Sequence, residues 1–220
     1  MRKPNKNLKT IRRQQIINVA VELFAQKNYH EVLMEEVAEK AGMAKGSIYN
    51  YFLNKEDLYI SIITHRLESL LQLLKERIDT RNTPLINIRR IIIHIYSFMA
   101  KYPHFFQIWY REKLRCGFQT NQRVQKLYGE IKNLLEIALE RGIAEGIIRE
   151  HKTDFIGDLL MGMIDAAVLR SHGLTQEQQR VERLMLFEFF LEALGTECAK
   201  LMHKKGLDRP DSSGEVPIVT

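Results

Sequence analysis

Between Lys9 and Lys27 the apolar residues fall at Ile11, Ile16, Ile17, Ala20, Val21, Leu23 and Phe24, with Lys, Arg, Gln and Glu on the intervening positions. Steps of three, four and one return side chains to one face of a helix, so the segment predicts an amphipathic α-helix. Asn28 follows as a C-cap, because Asn tolerates left-handed backbone. A shorter helix is predicted over residues 34–41, MEEVAEKA, ended by Gly42, and a third over about 45–52. Asn54 reads as the N-cap of a fourth, with Glu56 and Asp57 in its first turn, where acids complement the helix dipole. Its stripe runs through Leu58, Ile62, Ile63, Leu67, Leu70, Leu71, Leu74 and Ile78, and the chain breaks at Asn82-Thr83-Pro84. Further helices are predicted over 84–101, 103–116, 122–145, 153–172 and 176–204, separated by Pro and Gly signals. The pattern is that of an all-α protein of about nine helices. It divides into a small N-terminal unit over 1–54, a larger body over 55–205 entered through a connecting helix at 55–79, and a polar tail over 206–220 that is expected to be disordered.

Composition narrows this further. The chain has 220 residues, 45% of them apolar, and only 5 prolines, enough to bury a sizeable helical core. No window approaches the ~18 consecutive apolar residues of a membrane span. The basic start, MRKPNKNLK, leads into an amphipathic segment rather than an apolar one, so it is not read as a signal peptide. Cys116 and Cys198 stand far apart and form no C-x-x-C pair, which points to a cytoplasmic setting without disulfides or structural zinc. The net charge of +6 is matched by Arg2, Lys3, Lys6, Lys9, Arg12 and Arg13 at the N-terminus, so the remainder balances to zero. Such an arm is either a solubilising tail or, with Lys9 and Arg12 as its candidates, a contact to a polyanion whose counterions it displaces.

Residues 34–52 hold the candidate chemistry. Ala38 falls where two helices must cross closely, and four residues on, Gly42 supplies the positive φ of a tight turn. Val37, Met43 and Ile48 then point inward, leaving Ala44, Lys45, Ser47, Tyr49 and Asn50 on the outer face of the second helix, a helix-turn-helix. Small residues at its start let the backbone approach a duplex, and Lys45, Ser47, Tyr49 and Asn50 can reach phosphates or base edges. Phe52 and the Tyr51 ring pack inward, and phenolic hydroxyls offer donors to phosphate oxygens. Simple packing is the competing account of Tyr49.

The stretch FAQKNYHEV…EEVAEKAGMAKGSIYNYFLNKEDLY resembles the N-terminal domain of TetR-family transcriptional regulators over about residues 9–60. The matches are Phe24, Tyr29, Val37-Ala38, Ala41-Gly42, Gly46, Ile48-Tyr49, Tyr51-Phe52, Lys55-Glu56 and Leu58. Asn28 replaces the family's usual Gly, and Val32-Leu33 replace its Thr pair, so the second helix lacks a hydroxyl N-cap. The resemblance implies groove contacts from Lys45 and Tyr49, phosphate contacts from Tyr51 and Lys55, and sequence choice at Ser47 and Asn50. The competing account of Lys55 is a helix N-terminal lysine paired to nothing, where the dipole disfavours a cation and an anion would offset it. The recognition helix spans about 45–51.

For the body, the resemblance implies a homodimer built on the last two long helices and a small effector held in a cavity. Gly162 and Ala166 permit close helix approach, and Leu184, Phe187, Leu191 and Leu194 form the expected interface stripe; the alternative is a fully buried central helix. Met99, Phe105, Phe106, Trp109 and Tyr110 are the effector-pocket candidates for an apolar or flat aromatic ligand, with ordinary core as the alternative. The function implied is a ligand-relieved repressor that binds a palindromic double-stranded DNA operator as a dimer. The connecting helix would carry the switch by changing the separation of the two reading helices. No cofactor, metal or membrane partner is expected. The seven histidines form no H-x-x-x-H or H-E-x-x-H, there is no Gly-rich phosphate loop, and Asp154, Asp158 and Asp165 make only a weak case for a metal face, so an enzyme is not expected. A helical small-molecule-binding protein without DNA-binding activity is the rival reading.

Overall fold

Nine α-helices and two 3-10 helices carry the described residues, 6–116 and 121–207, of the computed structural model. They are α1 (Lys6–Gln26), a 3-10 turn (Tyr29–Glu31), α2 (Met34–Lys40), a second 3-10 turn (Lys45–Asn50), α3 (Lys55–Arg77), α4 (Pro84–Lys101), α5 (Pro103–Cys116), α6 (Gln122–Ala144), α7 (Thr153–Arg170), α8 (Gln176–Leu194) and α9 (Glu197–Lys204). The start of the basic arm, with Arg2 and Lys3, and the tail beyond residue 207 lie outside the described residues. No helix is long and apolar enough to cross a membrane among the described residues.

The chain forms two compact units, one of Met1–Ser69 with Lys101–Tyr128 and one of Leu70–Ala100 with Gly129–Thr220. This differs from a boundary at residue 54, and the reason is a set of contacts distant in sequence. Arg111 on α5 donates to the carbonyls of Phe24, Ala25 (3.4 Å) and Lys27 (3.2 Å), capping the C-terminal end of α1 with a guanidinium. Tyr59 of α3 donates to Glu112 of α5 at 3.3 Å, and its ring meets Phe24 edge-on at 5.1 Å. Arg66 of α3 lies over the Tyr102 ring at 4.0 Å. The first unit therefore takes the N-terminal part of α3 and all of α5 along with the helix-turn-helix.

Asn28 is not a left-handed cap. Its φ of −68° and ψ of 155° are extended, and it starts the first 3-10 turn, with its amide donating to Glu31 Oε2 at 2.8 Å. The extended conformation needs no glycine, which accounts for Asn at this position. Asn54 does cap α3: Asp57 N donates to its Oδ1 at 2.8 Å, and Asp57 Oδ2 in return accepts from Leu53 N at 2.9 Å.

In the second unit, α4 buries Ile88, Ile91, Ile92 and Ile95 along one stripe. Asn87 is buried with them and donates to the Asp79 carbonyl at 2.9 Å, which fixes the turn entering α4. Tyr96 donates to Glu182 on α8 at 2.9 Å; burial, then this carboxylate, pushes its phenol up to about 12. The continuous helix expected over 176–204 is corrected: it breaks at Gly195-Thr196. Gly195 N closes α8 on Leu191 O at 2.8 Å, Thr196 N donates to Ile147 O at 3.0 Å, and Thr196 Oγ1 accepts from Ala199 N at 3.4 Å to cap α9. A Cβ on Gly195 would stand 2.5 Å from Leu191 O, so only glycine fits there.

Candidate nucleic-acid interface

The helix-turn-helix is built from few hydrogen bonds. Gly42 takes φ 65°, and Met43 N reaches back to Ala38 O at 2.9 Å, turning the chain within three residues of α2. Val37, Ala38 and Ile48 are fully buried and Met43 is half-buried, as their inward positions require. Residues 45–50 form a 3-10 helix rather than an α-helix, opened by Ser47 N to Ala44 O at 2.8 Å and closed by Tyr51 N to Ile48 O at 2.9 Å. Six residues anchored by a single buried Ile48 have little core to hold a longer helix.

Phe52 is fully buried at the end of this turn, and Arg13 of α1 sits over its ring at 4.7 Å while donating to Ser61 Oγ of α3 at 2.7 Å. One guanidinium thus joins α1, the reading turn and α3. By sequence Arg13 belongs to the basic arm, read either as a solubilising tail or as a polyanion contact; its alkyl stem and charge are instead engaged inside the unit.

The predicted contact residues lie as follows. Lys45 and Asn50 are exposed, Tyr49 is 48% exposed, and Ser47 and Tyr51 are half-buried. Lys45 makes no ion pair or hydrogen bond among the described residues. An open groove of about 540 Å³ runs between the first turns of α1 and the end of the reading turn, lined by Leu8, Lys9, Ile11, Arg12, Gln15, Asn50 and Tyr51. It brings Lys9, Arg12, Asn50 and Tyr51 together, and no carboxylate lines it. Lys55 is not the unpaired lysine of the competing account. Its ammonium donates to the carbonyls of His30 (3.1 Å) and Val32 (3.0 Å) and lies 4.7 Å from the centre of the Tyr29 ring, so it ties down the loop that leads into α2. Those carbonyls offset the unfavourable end of the α3 dipole.

Gly46 escaped selection as a site residue. Its φ is not positive, and a Cβ there would meet nothing within 4 Å, so the fold itself does not require glycine. A bare backbone on an exposed face is what close approach of an outside surface requires. The signal was the G-S pair directly after Lys45.

The residue pattern around this helix-turn-helix matches the family model described as bacterial regulatory proteins, tetR family, over residues 16–62. An HTH-type transcriptional regulator of Bacillus subtilis, YhgD, is 30% identical over 143 residues, 63% of this chain and 72% of its own. The chain belongs to the TetR family of transcriptional regulators. The fatty acid metabolism regulator protein of Bacillus subtilis is 28% identical over 155 residues, 70% of this chain and 80% of that one. A structure of Bacillus subtilis FadR in complex with stearoyl-CoA superposes with a TM-score of 0.65, covering 81% of this chain and 95% of that one at 28% identity. Mycobacterium tuberculosis KstR2 shares the fold at TM-score 0.72 and 20% identity, over 84% of this chain and 96% of that one. The relatives are named as regulators, and this chain is a TetR-family transcriptional regulator.

Two expected surfaces of this regulator change. Phe105, Phe106 and Trp109 are fully buried and occupied with one another and with neighbours: Phe105 stacks on Trp109 at 6.4 Å, Phe106 on Tyr110 at 5.7 Å, and Trp109 meets Tyr128 at 5.3 Å. Met99, also buried, belongs to the other compact unit. Phe105, Phe106 and Trp109 lie in the core of their unit, and Tyr110 is half-buried beside them. On α8, Phe187 and Leu191 are buried inside their own unit and Leu184 and Leu194 are half-buried, so they do not form the exposed stripe. The exposed stripe is Val181, Met185 (60%) and Phe189 (63%), four residues apart. On α7 the exposed file is Phe155, Leu159, Gly162, Ala166 and Leu169. A Cβ on Gly162 would meet nothing within the chain, whereas one on Gly157 would touch Lys132 and Glu136 of α6. Asp158 is paired with Lys132 at 2.7 Å, and the described residues contain no cluster of His, Cys, Asp or Glu able to hold a metal ion.

Proposed function

We propose that the chain is a ligand-relieved repressor that binds a palindromic duplex as a homodimer. The observation that carries this is the exposed, unpaired Lys45 beside Gly46, Tyr49 and Asn50, adjoining a groove that holds Lys9 and Arg12 without an acid. Lys45 and Tyr49 enter the major groove, Ser47 and Asn50 choose bases, and Lys9, Arg12 and Tyr51 hold the phosphate backbone. Lys55 acts from behind by holding residues 30–32. The dimer forms through the exposed files of α7 and α8, two apolar faces side by side that call for a covering partner. The effector is a small molecule with an apolar body, a reading supported by the similarity to a regulator whose structure holds stearoyl-CoA. Its binding lowers operator affinity to the extent that it prefers the non-binding state.

Operator selection from a random duplex library, followed by salt titration, tests this. The selected sequence is expected to be an inverted repeat. Lys45→Ala is expected to reduce the slope of log affinity against log salt by about 0.9, because one phosphate contact is lost. Lys55→Met is expected to weaken binding with the slope unchanged. A wild type whose duplex affinity ignores salt would refute the interface.

A further inference from the structure

In the second unit, α4 carries a polar file through an otherwise apolar helix. Arg90, His94 and Ser97 are four and three residues apart and share one face. At one end, Arg90 Nη1 donates to the carbonyl of Arg77 in the last turn of α3 at 2.9 Å. At the other, Arg183 of α8 donates to Ser97 Oγ at 2.8 Å. His94 lies between them, only 5% exposed, without a hydrogen bond among the described residues. Burial first, then the charges of Arg77, Arg90 and Arg183, push its imidazole down to about 4.

Carboxylates that feel these cations already have closer partners. Asp79 is held by Arg81 at 2.6 Å, Glu182 by Tyr96 at 2.9 Å and Arg170 at 3.6 Å, and Glu177 by Arg180 at 3.8 Å. Arg77, Arg90 and Arg183 make no ion pair with a carboxylate among the described residues. Arg183 is half-buried, and desolvation lowers even its guanidinium. Several cations gathered around a buried imidazole oppose one another unless an anion completes the set.

We propose that Arg77, Arg90, His94 and Arg183 form an anion site that takes the acidic group, phosphate or carboxylate, of the effector. Arginine suits this role through its planar set of donors. An arriving anion restores the charged form of His94, which then contributes donors of its own. The inference rests on the reading of the chain as ligand-responsive and specifies the effector's chemistry: an apolar body with a negatively charged head.

The test uses the full-length protein labelled with 13C-histidine and titrated with decyl phosphate, decanoate and decanol at neutral pH. At least one of the two anions is expected to bind about tenfold or more tighter than decanol, the difference one charge-assisted hydrogen bond to arginine supplies. His94 is expected to move to its protonated position as that anion saturates. The two anions separate a phosphoryl head from a carboxyl head. Arg90→Gln with Arg183→Gln should erase both effects while leaving salt-dependent duplex binding intact. If that pair of changes melts the protein, His94→Gln is read instead and should cut the preference by about threefold or more. Equal affinity for decanol, an unmoved His94, a preference that survives the variants, or no binding of any probe below ~1 mM would overturn the site. Failure of the wild type to bind DNA would instead sink the regulator reading and leave the anion titration standing.

Discussion

The guanidinium of Arg111 is the firmest link from α5 to α1, and its removal should show it. Arg111 spans three carbonyls at the C-terminal end of α1, those of Phe24 and Ala25 in its last turn and of Lys27 just beyond it, and also reaches Gln107 O of its own helix at 3.3 Å. A cation at a helix C-terminus contributes 0.3–1 kcal/mol when exposed and up to about 2 in partly buried geometry. Arg111 is exposed as a whole, but its contact to Phe24 is partly buried, so we expect Arg111→Met to cost about 1–1.5 kcal/mol. In a domain of this size that is a fall in Tm of roughly 3–5 °C. Arg111→Lys keeps the charge but cannot span three carbonyls, and should recover only part of the loss. Urea unfolding followed by fluorescence of Trp109, the sole tryptophan, reports on the helix in question. The same variant should loosen hydrogen-exchange protection in the last turn of α1 more than in α7. A loss below about 0.3 kcal/mol, or one that Arg111→Lys restores in full, would refute the cap and reduce Arg111 to a surface charge.

Two further outcomes follow from the same geometry. Met185→Glu places a charge on each side of a two-fold interface and should weaken the dimer by about two orders of magnitude or more in sedimentation, whereas Glu188→Gln should not. His94 titrates at about 4 in the fold against 6.5 for an ordinary histidine, with Arg77, Arg90 and Arg183 its charged neighbours. The unfolded chain therefore takes up this proton first as pH falls. Stability is full above about pH 6.5 and declines toward pH 4, by on the order of 2–3 kcal/mol in total, and His94→Gln should flatten that part of the pH–stability curve.

The helix pattern was largely legible because periodicity and punctuation agreed: α4 and α5 begin at Pro84 and Pro103, where proline suits a first turn, and Gly42 stops α2 by taking φ 65°. The break at Gly195-Thr196 was legible in principle, since Gly followed by Thr and Glu is a stop and a start together, but the apolar stripe on either side masked it. The exposure of Lys45, Gly46, Tyr49 and Asn50 was legible because small and polar residues interrupt an apolar pattern. Arg13, Lys55 and Arg111 were not. Each is spent on a carbonyl, a hydroxyl or a ring that only the tertiary fold brings near, and composition counts all three as surface charge.

The interface face of α8 shows why such errors arise. A helix apolar on two sides has two self-consistent stripes, and period alone cannot say which one meets its own core. Phe187 and Phe189 are chemically identical and two residues apart, which is about 200° around the helix, so they necessarily face opposite ways. Phe187 meets Phe190 of its own helix at 6.3 Å and His203 of α9 edge-on at 5.6 Å, and the second contact depends on the break at Gly195 that lets α9 fold back. A continuous helix would have left Phe187 without His203 against its ring. Val181, Met185 and Phe189 are exposed. A bulkier residue at position 195 is thus expected to perturb the core and the dimer surface together, since both depend on where α8 ends.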